Sequence, residues 1–195
     1  MRPEVTVLQP WQEHLDEVIG EVLLDEETLA KRIAELGEQI TRDYAAANTQ
    51  ELVIVGILRG SVVFLSDLIR HIQLPLILDF MAVSSYTKGT KSSGVVRIIK
   101  DLSTAIDGKD VLIVEDIVDT GLTLKNLGEI LNARHPRSLR ICTLLDKPSR
   151  RTCEVMVDYR GFEIEDKFVI GFGLDYDDMY RHLPFVGVLK AEAVE

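Results

Sequence analysis

Apolar residues recur along this chain with two alternating periods, and the alternation predicts its architecture. Leu29, Ile33, Leu36, Ile40 and Tyr44 fall three and four residues apart within 25–47, as on one face of an amphipathic helix. Asp25 is placed to cap that helix, with Glu26 and Glu27 favourably in its first turn. Residues 52–58 follow as an unbroken β-branched run, apolar on both faces, which suits an interior strand of a parallel sheet. A second helical pattern covers 62–72 and stops before Pro75, and 76–83 reads as another strand. Residues 86–94 are polar and contain glycine, so they read as a long mobile hairpin loop before a strand at 95–99. Asp107-Gly108 marks a turn. The best strand is 111–114, expected to end abruptly at Glu115-Asp116; a helix carrying Leu124, Leu127, Ile130 and Leu131 comes next, and then a strand at 139–145. This alternation predicts an α/β fold with a mainly parallel sheet flanked by helices. After Val157 the texture changes to short strands, glycines and aromatics, as expected of a small hood over the sheet.

Composition narrows the function. The 195 residues suit one compact domain, and 46% hydrophobic with 28% charged residues is ordinary for a globular chain able to bury a core. A net charge of −10 argues against a surface made for nucleic acid or anionic membrane, although a locally positive pocket for a small anion is compatible with it. Cys142 and Cys153 match no zinc or redox spacing. No run approaches the roughly 18 apolar residues of a membrane span and no basic leader opens the chain, so a soluble cytoplasmic protein is expected.

The chemistry collects just past the strands. In an open α/β sheet ligands bind at the carboxyl ends of the strands, and Arg59-Gly60, the segment Glu115 to Gly121, and Lys147 all follow strand runs. Asp119-Thr120-Gly121-Leu122-Thr123 opens a helix. Its glycine permits converging N–H groups, the helix end adds partial positive charge, and two threonines supply hydroxyl donors, which together make a phosphate cradle. An ordinary capped strand–helix turn accounts for Thr and Gly equally well. The preceding acids favour function: three carboxylates within five positions would repel a bare anion, but they suit sugar hydroxyls or Mg²⁺ carried in with phosphates. No Walker A loop, Gly-x-Gly-x-x-Gly, His-Glu-x-x-His or Gly-x-Ser-x-Gly is present, which weakens a dehydrogenase or nucleotide-hydrolase reading.

The stretch 111–123, an apolar strand with paired acids, two aliphatics and Asp-Thr-Gly-x-Thr, closely resembles the phosphoribosyl pyrophosphate signature of the type I phosphoribosyltransferases. Gly56 to Gly60, Ser85-Tyr86, Asp146-Lys147, Gly161 to Gly171, Asp175-Tyr176 and Arg181 align in order with the hypoxanthine–guanine branch, over about residues 20–190. The resemblance implies a single domain over 1–195, its core at about 25–157 and its hood built from the N-terminal segment and about 158–195. It implies transfer of the 5-phosphoribosyl group from phosphoribosyl pyrophosphate to a 6-oxopurine, with Mg²⁺ as cofactor and small molecules, not nucleic acid or membrane, as partners. A homodimer or homotetramer is expected on the same ground.

Carried over position by position, the resemblance gives Asp119, Thr120, Gly121, Leu122 and Thr123 the 5-phosphate, and Glu115 and Asp116 the ribose hydroxyls. Asp119 would also face purine N7 as general base or acid. Arg59, Gly60, Ser85, Tyr86 and Arg181 would meet pyrophosphate, the Leu58–Arg59 peptide being often cis in this family. Lys147 would donate to O6 of the base, Phe168 would stack on the ring, and the Val169 backbone would meet the base edge. Asp175 would border the base, with Glu115, Asp116 and Asp175 the metal-binding acids. Arg59 and Leu122 stand where lysine also occurs in the family. The segment 85–94 would close as a lid. Rival readings are a non-catalytic nucleotide- or RNA-binding regulator on the same fold, and a sister transferase for xanthine, uracil or orotate. Plain core packing is the alternative for Phe168.

Overall fold

A computed structural model describes residues 9–88 and 91–193. In chain order these form α1 (Gln9–Val18), β1 (Ile19–Leu24), α2 (Glu26–Ala46), β2 (Leu52–Leu58), α3 (Val62–Leu68), β3 (Leu76–Lys88), β4 (Lys91–Lys100), β5 (Asp110–Val118), α4 (Leu122–Asn132), β6 (Ser138–Asp146), β7 (Tyr159–Glu163), β8 (Val169–Ile170) and β9 (Val186–Leu189). Asp25 caps α2 as expected, its Oδ1 accepting from Thr28 N at 2.8 Å, and the five periodic residues of α2 are all buried.

The strands make two sheets. The larger has six in the order β4-β3-β2-β5-β6-β7, all neighbours parallel except β3 and β4. The smaller is antiparallel, β1-β9-β8. Core packs on both faces of the large sheet: Leu52, Ile54, Leu112 and Val114 point toward α2 and α3, while Val53, Val55, Val111 and Ile113 join Leu124, Leu127 and Leu131 of α4. The α/β class with a mostly parallel sheet is as expected.

Three expectations need correction. Strand β5 does not stop at Val114 but stays paired with β6 through Val118↔Asp146, because a ladder is made by backbone groups and tolerates acids whose side chains face a cleft. Most of 86–94 is paired strand and not loop, with Thr87↔Ser92 and Lys88↔Lys91 in register; the tip, Gly89-Thr90, lies outside the described residues. Finally, β7 belongs to the large sheet, although the core was expected to end near 157.

Strand order locates the crevice. The chain leaves β2 for β3 on one side, and β5 then adds on the other side, so the order reverses between β2 and β5. Such a switch point leaves a gap at the carboxyl ends. Pairing of β2 with β5 ends at Gly56↔Val114, while β2–β3 pairing continues to Leu58↔Ala82 and β5–β6 pairing to Val118.

Candidate active site

Three adjoining cavities open over this gap. The largest, about 500 Å³, is bordered by Asp116, Asp119, Lys147, Arg150, Asp166 and Phe168. A second, about 270 Å³, lies between Arg59, Gly60, Glu115, Asp116, Asp175 and Arg181. The third, about 100 Å³, is wrapped by Asp119, Thr120, Gly121 and Thr123. Every sequence-selected side chain from β2, β5, β6 and the 168–181 segment therefore borders one continuous region, apart from Leu122, which is half-buried at the first position of α4. The side chains of Ser85 and Tyr86 lie outside the described residues; their backbone is in β3.

The small cavity is a loop closed by geometry. Gly121 sits at the N-cap of α4 with φ +84°, a conformation that disfavours any residue with a β-carbon. Leu122 N donates to Thr120 Oγ1 at 3.4 Å, and no side chain caps the helix at Gly121. Its N-terminal end is thus presented to the cavity, a ready anion site.

Glu115 and Asp116 are carboxylates held between strands. Burial pushes Glu115 well above the usual carboxyl range, with the neighbouring Asp116 charge adding to the effect. Burial likewise raises Asp116 to about 6, against backbone hydrogen bonds and Arg181, which lower it. Asp116 Oδ1 accepts from Ile117 N at 2.9 Å. Both acids are half-buried and border the cavity, where a ligand bringing donors or cationic charge would favour their charged forms.

Across the second cavity the cations are tied to acids of the loop after β8. Arg181 Nη2 lies 2.6 Å from Asp175 and 3.6 Å from Asp178, and its Nη1 donates to Gly173 O at 2.7 Å. Arg59 pairs with Asp178 at the surface. The Leu58–Arg59 peptide is cis. Gly173, with φ +101°, presses on the Gly60 carbonyl so closely that a β-carbon there would fall 2.1 Å from the oxygen.

In the large cavity Lys147 is buried at 8% exposure, and its Nζ donates to Lys167 O at 2.6 Å and lies 3.8 Å from Asp166. Phe168 is 51% exposed and meets Tyr176 edge-on at 5.7 Å, so it is a cleft wall and not core packing. Val169 is buried in β8. Asp119 accepts from Arg150 Nε at 3.0 Å.

Sequence reasoning passed over Arg150, Asp166, Asp178 and Gly173. Arg150 satisfied the same criterion as Lys147, lying just past the end of β6. It also passed over α1, whose Trp11 stacks on His14, Tyr180 and His182 at 5.4, 6.3 and 5.5 Å between ring centres, the last two being the chain neighbours of Arg181.

No three His, Cys, Asp or Glu side chains among the described residues converge closely enough to hold a metal alone. No described helix is long and apolar enough to cross a membrane.

Comparison with known proteins agrees with this geometry. Residues 20–177 match the model of the phosphoribosyl transferase domain. A hypoxanthine-guanine phosphoribosyltransferase of Lactococcus lactis is 53% identical over 181 residues, 93% of this chain and 97% of the relative. A hypoxanthine phosphoribosyltransferase of Salmonella typhimurium is 54% identical over 86% of this chain and 93% of its own length. The crystal structure of a hypoxanthine phosphoribosyltransferase from Staphylococcus aureus superposes with a TM-score of 0.89 at 50% identity, covering 94% of this chain and 97% of that one. With its Asp-Thr-Gly-x-Thr loop and paired acids set at the β2–β5 switch point, the chain belongs to the hypoxanthine–guanine phosphoribosyltransferases.

Proposed function

We propose that this protein carries out purine salvage by transferring the 5-phosphoribosyl group of phosphoribosyl pyrophosphate to hypoxanthine, guanine or both, releasing pyrophosphate. The observation that carries this reading is the convergence of Asp119, Lys147 and exposed Phe168 on one cavity beside the Thr120–Gly121–Thr123 loop. A flat base lies against Phe168 in that space, its O6 toward the Lys147 ammonium. Adenine sets a donor against the Lys147 ammonium at that position and offers it no acceptor, which discriminates against it.

The 5-phosphate occupies the loop from Asp119 to Thr123, and the ribose hydroxyls reach Glu115 and Asp116. Pyrophosphate takes the second cavity, where Arg59, Gly60 and Arg181 receive it with Ser85 and Tyr86 from β3. Asp119 takes the N7 proton as N9 attacks C1 and the C1–O bond to pyrophosphate breaks, an effect of about 10²–10⁴-fold in rate. As the C1–O bond breaks, Arg59 and Arg181 meet the negative charge that grows on the leaving pyrophosphate. Holding base and sugar in one cleft supplies much of the remaining rate. The Val169 backbone meets the base edge.

Glu115, Asp116 and Asp175 all face the second cavity, and oxygen donors suit Mg²⁺, which keeps waters and substrate phosphate oxygens as its other ligands. That set fits a cation shared with the diphosphate. When bound, Mg²⁺ supplies neutralisation of charge on the leaving oxygens. We read the chain as one domain in which the β1-β9-β8 sheet is the hood, and a homodimer or homotetramer as its assembly.

The test is direct: purified protein is incubated with phosphoribosyl pyrophosphate, Mg²⁺ and one purine at a time, and nucleotide products are separated chromatographically. IMP or GMP formation is expected. Absence of nucleotide from every oxopurine would sink the assignment.

A further inference from the structure

Arg150 stands in a short 3-10 turn, Pro148–Arg150, immediately after Lys147. Its Nε donates to Asp119 Oδ1 at 3.0 Å, and its Nη1 lies 3.6 Å from Asp166 Oδ2. The same Asp166 faces the Lys147 ammonium at 3.8 Å through its other oxygen. Asp166 is thus the shared partner of the lysine that reads O6 and of the arginine that holds the proton-handling carboxylate.

The surrounding backbone fixes this arrangement. Lys147 N donates to Val118 O at 2.9 Å, Arg151 Nη1 to Asp119 O at 2.8 Å, and Thr152 N to Thr120 O at 3.0 Å. Arg151 is itself anchored on buried Asp146. The turn that carries Arg150 is therefore stitched, residue by residue, to the loop that carries Asp119. The Arg150, Asp119 and Asp166 side chains are 48%, 44% and 53% exposed, and exposed pairs of this kind stabilise a fold little. What such a contact does decide is the direction of a carboxylate on a short, rotatable side chain. It engages Oδ1 and leaves Oδ2 to meet the purine.

We propose that Arg150 is a positioning residue for the transfer reaction: with Asp166 as its second anchor, it holds the Asp119 carboxylate in the orientation that receives the N7 proton. The proposal rests on the reading of this cleft as an oxopurine site. Arg150 acts through Asp119, so its contribution disappears when Asp119 can no longer take a proton.

A double-mutant cycle tests this. Arg150→Gln and Arg150→Lys are made in the parent and in Asp119→Asn, with Asp166→Asn as a separate way of loosening the frame, and kcat and KM are measured for hypoxanthine and phosphoribosyl pyrophosphate. In the parent, Arg150→Gln is expected to lower kcat about 10- to 100-fold with KM for phosphoribosyl pyrophosphate nearly unchanged, as for a misplaced reacting group. Arg150→Lys, with charge but no fixed fork, recovers only part, and Asp166→Asn gives a smaller loss in the same direction. In Asp119→Asn, Arg150→Gln costs nothing further. An undiminished kcat in Arg150→Gln, or an equal loss in both backgrounds, overturns the proposal. A parent enzyme without oxopurine turnover would instead overturn the proposed function, before Arg150 is altered.

Discussion

Gly60 lies against Asp116 so tightly that a β-carbon at position 60 would fall 1.6 Å from Asp116 Oδ2. The first residues beyond β2 and the second acid of β5 thus occupy one space, and only glycine permits both. Gly60→Ala must push the Asp116 carboxylate away from the cleft. The expected result is a rise of about tenfold or more in KM for phosphoribosyl pyrophosphate, with a stability loss of about 1–3 kcal/mol from overpacking. Steady-state kinetics with a thermal melt checks both; an unchanged KM contradicts the shared space.

The raised carboxyl of Asp116 has a consequence for stability. Its folded value of about 6 lies above the ordinary 3.8, so between about pH 4 and pH 6 the folded state holds a proton that the unfolded state has released, and stability falls as pH rises through that window. At pH 7 the ionised group costs up to about 3 kcal/mol. Asp116→Asn is therefore expected to raise Tm by several degrees at pH 7.5 and hardly at pH 4, while weakening phosphoribosyl pyrophosphate binding. Melts of both proteins at the two pH values decide this. Equal Tm at pH 7.5 would show that water reaches the group freely.

Lys147→Gln removes the buried ammonium but keeps a donor amide. The expected outcome is a loss of about 10²-fold or more in kcat/KM for hypoxanthine, with adenine little affected, so that the preference between the two bases narrows. Competition of the two purines in one assay measures the ratio directly. A preference that stays as large as in the parent would move O6 recognition elsewhere.

Trp11 is the only tryptophan of the chain, and it stacks on the two rings that flank Arg181. If Arg181 receives pyrophosphate as proposed, its contacts with Asp175 and Asp178 must rearrange. Tryptophan emission is expected to change saturably on titration with pyrophosphate and Mg²⁺, and to stay constant in Arg181→Gln. Identical titrations for the two proteins would uncouple α1 from the site.

The parts of this structure legible from the sequence were those written in local chemistry. Asp25 capping α2 and the apolar run of β2 are read from neighbouring residues, and the Asp119–Thr123 loop from its turn and donor residues only together with the acids that precede it. The far end of β5 is not legible from its polar side chains, because Glu115 keeps its backbone place in the ladder opposite Thr143. The Arg150–Asp119 contact joins residues 31 positions apart, and no local pattern announces such a partner. Strands β1 and β9 are short and come from opposite ends of the chain, so neither shows a periodicity of its own. The exposed Phe168 ring could be told from core packing only once the cleft was in view.

We propose that the Asp119 side chain handles the purine proton, while the loop it opens holds the 5-phosphate through backbone N–H and threonine hydroxyl groups. The most direct measurement sets Asp119→Asn beside the parent, following single-turnover nucleotide formation from guanine or hypoxanthine together with phosphoribosyl pyrophosphate affinity. The expected result is a loss of about 10²–10⁴-fold in the chemical step with affinity for phosphoribosyl pyrophosphate largely retained. A chemical step as fast as the parent's would contradict it.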